Sequence, residues 1–233
     1  MSNTERKIIA LVPAAGIGRR MNADRPKQYL TIHGKTILEH TLELLLSADK
    51  ISRIVLAINP NDSYLSEINL LQHPNITLIN GGETRAESVL NGLRAINTEE
   101  NAWVMVHDAA RPCLTLQELE ALASITHPDG AILAIPAVDT IKRSNPYHLI
   151  EKTEDRTEIW LAQTPQFFPL ASLKQAIEYA LIQQQNITDE SSAMELLGFK
   201  PQLVMGKTSN IKITHPDDLA LAEFYLSQKD QHN

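Results

Sequence analysis

Five short apolar runs, each closed by a turn signal, constrain this chain more than any other feature. They are Ile8–Val12, Ile54–Ile58 before Asn59-Pro60, Ile76–Ile79 before Asn80-Gly81-Gly82, Trp103–His107 before Asp108, and Ala131–Ile135 before Pro136. Each is apolar throughout rather than alternating, as parallel strands covered on both faces are. Between them, Ile37, Leu38, Leu42 and Leu45 share one helical face, and so do Val89, Leu93 and Ile96. Strands alternating with helices predict a doubly wound α/β fold with a mostly parallel sheet. A chain of 233 residues, 43% apolar, suffices for one such domain with a modest insertion. We expect a single domain over 1–233, with an insertion at about 139–160. That segment, from Asp139 to Trp160, is charged and weakly periodic, and fits an extended hairpin arm, a flap or a plain surface loop. From Pro169 onward, Leu170, Leu173, Ile177, Ala180 and Leu181 make a helix face. Thr214-His215-Pro216-Asp217 reads as a capping box that opens a last helix through Leu226.

Charge and cysteine content narrow the function classes. There are 21 basic and 28 acidic side chains, a net charge of −7, which argues against general nucleic-acid binding. The single cysteine, Cys113, excludes an intrachain disulfide and fits a reducing compartment. It carries no nucleophile signature and reads as packing. The apolar run behind the polar N-terminus is too short for a signal peptide, and no apolar stretch approaches a membrane span. A cytoplasmic protein is expected.

Ligands of open parallel sheets bind beyond the carboxyl ends of the strands. After the first strand comes Val12-Pro13-Ala14-Ala15-Gly16-Ile17-Gly18-Arg19-Arg20-Met21, then Arg25-Pro26-Lys27-Gln28. Small residues let backbone N–H groups approach phosphate oxygens, and Arg19, Arg20 and Lys27 supply cations. A dinucleotide fingerprint would need a small residue where Met21 stands, and Pro26 disfavours a helix through Arg25. A Walker loop is excluded because no Gly-Lys-Ser/Thr follows. Later loops add Gly81-Gly82-Glu83-Thr84-Arg85 with Ser88, Asp108-Ala109-Ala110-Arg111-Pro112, and Asp139-Thr140-Ile141-Lys142-Arg143. Small residues, carboxylates and cations thus gather at one sheet edge. Asp108 either caps a turn or faces the ligand, with Arg111 favouring the second reading. His107 has no companion at metal-ligand spacing and reads as structural, so no protein metal site is assigned. Lys212 interrupts the apolar pair Ile211 and Ile213; a cation inside such a strand must reach either solvent or an anion.

These motifs resemble those of the 2-C-methyl-D-erythritol 4-phosphate cytidylyltransferases, a Rossmann-like nucleotidyltransferase family. The matching residues are Pro13-Ala14-Ala15-Gly16-x-Gly18-x-Arg20-Met21 with Pro26-Lys27-Gln28, Gly81-Gly82-x-x-Arg85-x-x-Ser88, Val106 to Pro112, Asp139-Thr140-x-Lys142, Thr164-Pro165-Gln166-x-Phe168, Thr188-Asp189-Glu190 and Asn210-Ile211-Lys212-x-Thr214. They run in family order over nearly the whole chain. The resemblance implies cytidylyl transfer from CTP to a methylerythritol phosphate, with diphosphate released, in the non-mevalonate isoprenoid pathway. It implies a Mg²⁺-dependent homodimer whose protruding β-arm reaches its partner, the metal being held mainly by nucleotide phosphates. It implies a nucleotide pocket of Pro13, Ala14, Ala15, Gly16, Gly18, Gly82, Arg85 and Ser88. Arg20, Lys27 and Lys212 would be the catalytic cations. Asp108, Arg111, Thr140, Arg156, Thr164 and Thr188 would hold the polyol phosphate, partly across the dimer. Ser209 departs from the pattern, since many relatives carry an acidic residue there. The alternatives are a cytidylyltransferase for another polyol phosphate such as ribitol 5-phosphate, a non-catalytic nucleotide-binding domain, and a dehydrogenase, the last disfavoured by Met21 and Pro26.

Overall fold

The computed structural model describes residues 6–16, 25–96 and 102–230. Its centre is a seven-stranded sheet in the order β11-β7-β10-β6-β1-β4-β5. The five apolar runs form β1 (Lys7–Pro13), β4 (Ile51–Ile58), β5 (Ile76–Asn80), β6 (Ala102–Val106) and β7 (Ala131–Pro136). All neighbouring pairs are parallel except those of β10 (Trp160–Pro169), which runs antiparallel between β6 and β7. The sheet is therefore mixed and mostly parallel. A short β2–β3 pair (Thr31–Ile32 and Lys35–Thr36) precedes the first helix.

Successive strand residues point to opposite faces, and both faces are covered. Ile8, Ala10 and Val12 of β1 pack with Leu38, Leu42 and Leu45 of α1 (Ile37–Leu46) and Leu119 and Leu122 of α3 (Leu116–Ala123). Ile9 and Leu11 face the other way, into Val89 and Leu93 of α2 (Arg85–Ala95), Leu173 and Ile177 of α4 (Leu170–Ile182), and Met194 of α5 (Glu190–Leu196). This two-sided burial explains why β1 is apolar at every central position. A third cluster seats Ala222 and Leu226 of α6 (Pro216–Asp230) against Ile37, Cys113 and Ile213.

Several expectations change. The expected elements do not include the short β2–β3 pair, nor β10, β11 (Gln202–Met205), α3 and α5. Capping boxes at Thr115/Glu118 and Asp189/Ser192 mark the two helices. Between 139 and 160 lies a separate two-stranded hairpin, β8 (Lys142–Ser144) with β9 (Ile150–Thr153), but Trp160 already belongs to β10. Helix α6 is closed by Asp218, not Asp217: its Oδ2 accepts from the N–H groups of Thr214 and His215 and from the Thr214 hydroxyl. The segment carrying Lys212 belongs to no strand.

Candidate active site

The loops after β1, β5 and β6 meet the segment before α6 around a cleft of about 350 Å³. Its lining includes Pro13, Ala14, Ala15, Gly16, Lys27, Gly82, Arg85, Ser88, Asp108 and Lys212. That size suits a nucleotide-scale ligand.

The first wall is built by short-range contacts. Ala14 donates its N–H to Ala57 O at 2.8 Å, so the chain leaves β1 still tied to β4. Gln28 is buried, and its Nε2 donates to Ala14 O (3.2 Å) and Gly16 O (3.1 Å). It thereby joins the loop to the 3-10 turn Lys27–Tyr29. Tyr29 anchors that turn from the other side. Its hydroxyl donates to Asp62 Oδ2 at 2.7 Å and its ring stacks on Tyr64. Lys27 then projects into the cleft and donates to Ile213 O at 2.7 Å, one residue beyond Lys212. The opposing wall needs glycine for closeness: a Cβ on Gly81 would stand 2.5 Å from Ala15 Cβ and 2.9 Å from Ser88 Oγ. Ser88 shapes this loop, its Oγ donating to Thr84 O (2.9 Å) and accepting from Gly82 N–H (3.0 Å).

Asp108 is the electrostatic centre. Arg85 donates from Nε to Oδ1 at 3.0 Å, Lys212 Nζ lies 2.7 Å from Oδ2, and Arg111 Nε lies 3.9 Å from Oδ2. Burial alone would raise its pKa, but Arg85, then Lys212 and Arg111, hold the carboxyl well below the usual range. Arg85 also makes a two-armed pair with Glu190, Nη1 to Oε1 at 2.6 Å and Nη2 to Oε2 at 3.1 Å. Burial opposes the Arg85 charge, yet Glu190 and Asp108 outweigh it and raise its pKa. Arg111 is different: burial is the leading influence and lowers its pKa. Its Nη1 donates to Asn210 O at 2.6 Å.

His107 is structural, as read. It is fully buried, with Nε2 3.1 Å from Arg111 O and Nδ1 3.0 Å from the Thr164 hydroxyl. The carbonyl can only accept, so Nε2 carries the proton and Nδ1 accepts from Thr164. Thr164 Oγ1 also accepts from Asp108 N–H at 3.0 Å, which fixes the turn that presents the carboxylate. Burial pushes the His107 pKa down from 6.5 to about 4. The unfolded chain takes up a proton at His107 that the folded one refuses. This contribution to stability is complete above pH 6.5 and is lost as the pH falls toward about 4. It is on the order of 3 kcal/mol. In His107→Gln the slope of unfolding free energy over that window should flatten; an unchanged slope in urea titrations would contradict the assignment.

Not every expected residue converges. Arg20 and Gly18 lie outside the described residues. Arg111 and Thr164 contact Asp108 but do not line the cleft, and the Thr164 hydroxyl is already engaged. Thr140, Arg156 and Thr188 are exposed and outside the lining. Gln28 and Glu190 were quoted in motifs without a role. A metal is implied by the resemblance, but the described residues do not build a site for one. Asp108 is taken up by cations, and no cluster of three or more His, Cys, Asp or Glu among them is placed to hold a metal ion.

A family model described as 2-C-methyl-D-erythritol 4-phosphate cytidylyltransferase matches residues 8–228. The chain belongs to that family. A cytidylyltransferase of this name from Haemophilus influenzae (strain PittGG) is 57% identical over 96% of this chain and 98% of its own. One from Vibrio vulnificus (strain CMCP6) is 51% identical over 98% of both. Among solved structures, the cytidylyltransferase of Francisella tularensis aligns with a TM-score of 0.79 at 38% identity, covering 94% of this chain and 99% of that one. The mixed seven-stranded sheet is thus the cytidylyltransferase fold, and the loop cluster just described lies at the carboxyl ends of its β1, β5 and β6.

Proposed function

We propose that the cleft transfers a cytidylyl group from CTP to 2-C-methyl-D-erythritol 4-phosphate, the activity named for the family. An oxygen of the substrate phosphate forms a bond to the α-phosphorus of CTP. The bond from that phosphorus to the bridging oxygen breaks, and diphosphate leaves. The attacking oxygen is already ionised at neutral pH, so no strong base is needed. Two anions must approach, and catalysis rests on charge neutralisation and alignment. The observation that carries this reading is the Lys27–Ile213 contact, which joins the Lys27 turn to the Lys212 segment on one wall of the cleft. In this reading Lys27, with Arg20, holds the triphosphate. Lys212 neutralises charge between the two reactants. Pro13, Ala14, Ala15, Gly16, Gly82 and Ser88 form the nucleotide wall, and Arg85 completes it. Magnesium would enter on the triphosphate oxygens and shield their charge; no residue of the chain is assigned to it.

We read the chain as one domain and a homodimer. The β8–β9 hairpin exposes Tyr147, Leu149 and Ile150, and Val138 is exposed just before it, all between 64% and 82% accessible, which supports a partner covering this region. Thr140 and Arg156, at the hairpin base, would then serve the partner's cleft with Asp108, Arg111, Thr164 and Thr188 around the polyol phosphate. No helix among the described residues is long and apolar enough to cross a membrane. That, and the lone buried Cys113, support a cytoplasmic setting.

Diphosphate release should be measured with each nucleoside triphosphate against methylerythritol phosphate, ribitol 5-phosphate and other polyol phosphates. Fastest release is expected with CTP and methylerythritol phosphate. Preference for ribitol 5-phosphate would reassign the acceptor, and no release with any pair would make this a binding domain. Arg156→Ala should raise KM for the polyol phosphate about tenfold or more, the scale of a lost charge-assisted phosphate contact. Its KM for CTP should stay near wild type, and an unchanged polyol-phosphate KM would remove Arg156 from the site.

A further inference from the structure

Glu190 is almost completely buried, at 1% exposure, and does not line the cleft. It opens α5, directly after the capping residue Asp189. A carboxylate buried this deeply is costly unless it is paired. Its pairing is with both terminal nitrogens of Arg85, whose Nε in turn donates to Asp108. Arg85 therefore bridges two buried carboxylates, one inside the cleft and one outside it.

This arrangement divides the charge around Asp108. Oδ1 receives Arg85, while Oδ2 receives Lys212 at 2.7 Å. Glu190 holds the far edge of the guanidinium and offsets its charge. Nη2 is shared between the two carboxylates, lying 3.0 Å from Asp108 Oδ1, so it is Nη1 that Glu190 alone holds. Without that restraint the whole guanidinium would be free to turn onto the one carboxylate left, Asp108, and compete with Lys212 for it. The Lys212 ammonium would lose the anion that fixes its position.

We propose that Glu190 is a positioning residue that acts through Arg85 and Asp108 to place Lys212 for the transfer step. The inference rests on the proposed reaction and concerns the charge of Glu190 rather than its shape. Glu190→Gln keeps the shape and removes the charge; Glu190→Asp keeps the charge and shortens the reach. If Glu190 merely filled space, glutamine would be the better substitute.

The test compares kcat and both KM values of E190Q and E190D with wild type, using CTP and methylerythritol phosphate. Each variant is also melted to confirm a folded protein. E190Q should lose about tenfold or more in kcat, the scale of a misplaced reacting group. Its KM for CTP should move far less. E190D should retain clearly more kcat than E190Q. Equal losses, or a better glutamine, would overturn the proposal. If E190Q does not fold, E190D still decides it: a loss larger than tenfold in a folded E190D would count against charge as the operative property. An inactive wild type under the same assay would refute the proposed reaction, and this inference with it, whereas an active wild type with equal losses in the two variants would refute this inference alone.

Discussion

Lys27→Ala is expected to lower kcat by a hundredfold to a thousandfold, about the cost of losing one preorganised group that stabilises developing charge. The turn that carries Lys27 is also held by other residues. Gln28 ties the turn to Ala14 and Gly16, and Tyr29 ties it to Asp62. The truncation removes the donor to Ile213 O, worth about 1 kcal/mol of stability. The melting temperature should therefore fall only slightly while turnover collapses. Near-normal turnover in a folded variant would remove Lys27 from the mechanism.

Asp108→Ala should damage both fold and activity. It leaves Arg85, Arg111 and Lys212 facing one another without the anion they share. Breaking a buried pair in this way costs about 3–5 kcal/mol, and Lys212 loses its anchor, so turnover should fall to background. The carboxyl has a folded pKa below its unfolded one. Its contribution to stability is accordingly present above the unfolded value of about 4 and is lost as the pH falls from there toward the folded value. Wild type and Asp108→Asn should thus converge in stability in strong acid, separate as the pH rises toward about 4, and keep a constant gap above it. Parallel stability curves below about pH 4 would show that the carboxylate is not stabilised as described.

The strands that surround the cleft were legible because both faces of each are covered. Ile8 to Val12 must be apolar at every position, and such runs are conspicuous. Strand β10 was not, although it sits at the middle of the sheet. Its buried centre contains Gln163, Thr164 and Gln166, which look like loop composition. Their polar groups are largely bonded: Gln166 Nε2 donates to Asp189 Oδ2 and its Oε1 accepts from Ser191 N–H, Gln163 Nε2 donates to Lys207 O, and Thr164 serves His107 and Asp108. The polar strand is the cross-link between α5 and the cleft, and that role exists only in three dimensions. The loops of the cleft were readable because close backbone approach demands small residues. Glu190 was not, because its partner Arg85 is remote in sequence and nothing local announces the pairing. Lys212 drew notice as a misplaced cation; it is tolerated because it reaches both solvent and an anion, Asp108 at 2.7 Å.

The contact of Gly81 with Ala15 has a consequence for how such a pocket could diversify. The two loops that would flank the base touch at the closest distance their side chains allow, with 2.5 Å separating Ala15 Cβ from any Cβ placed on Gly81. Gly81 cannot gain a Cβ while Ala15 and Ser88 stay as they are. A change at Gly81 must therefore proceed together with a change at its neighbours or a backbone shift. Libraries randomised at Gly81 alone would return few new specificities.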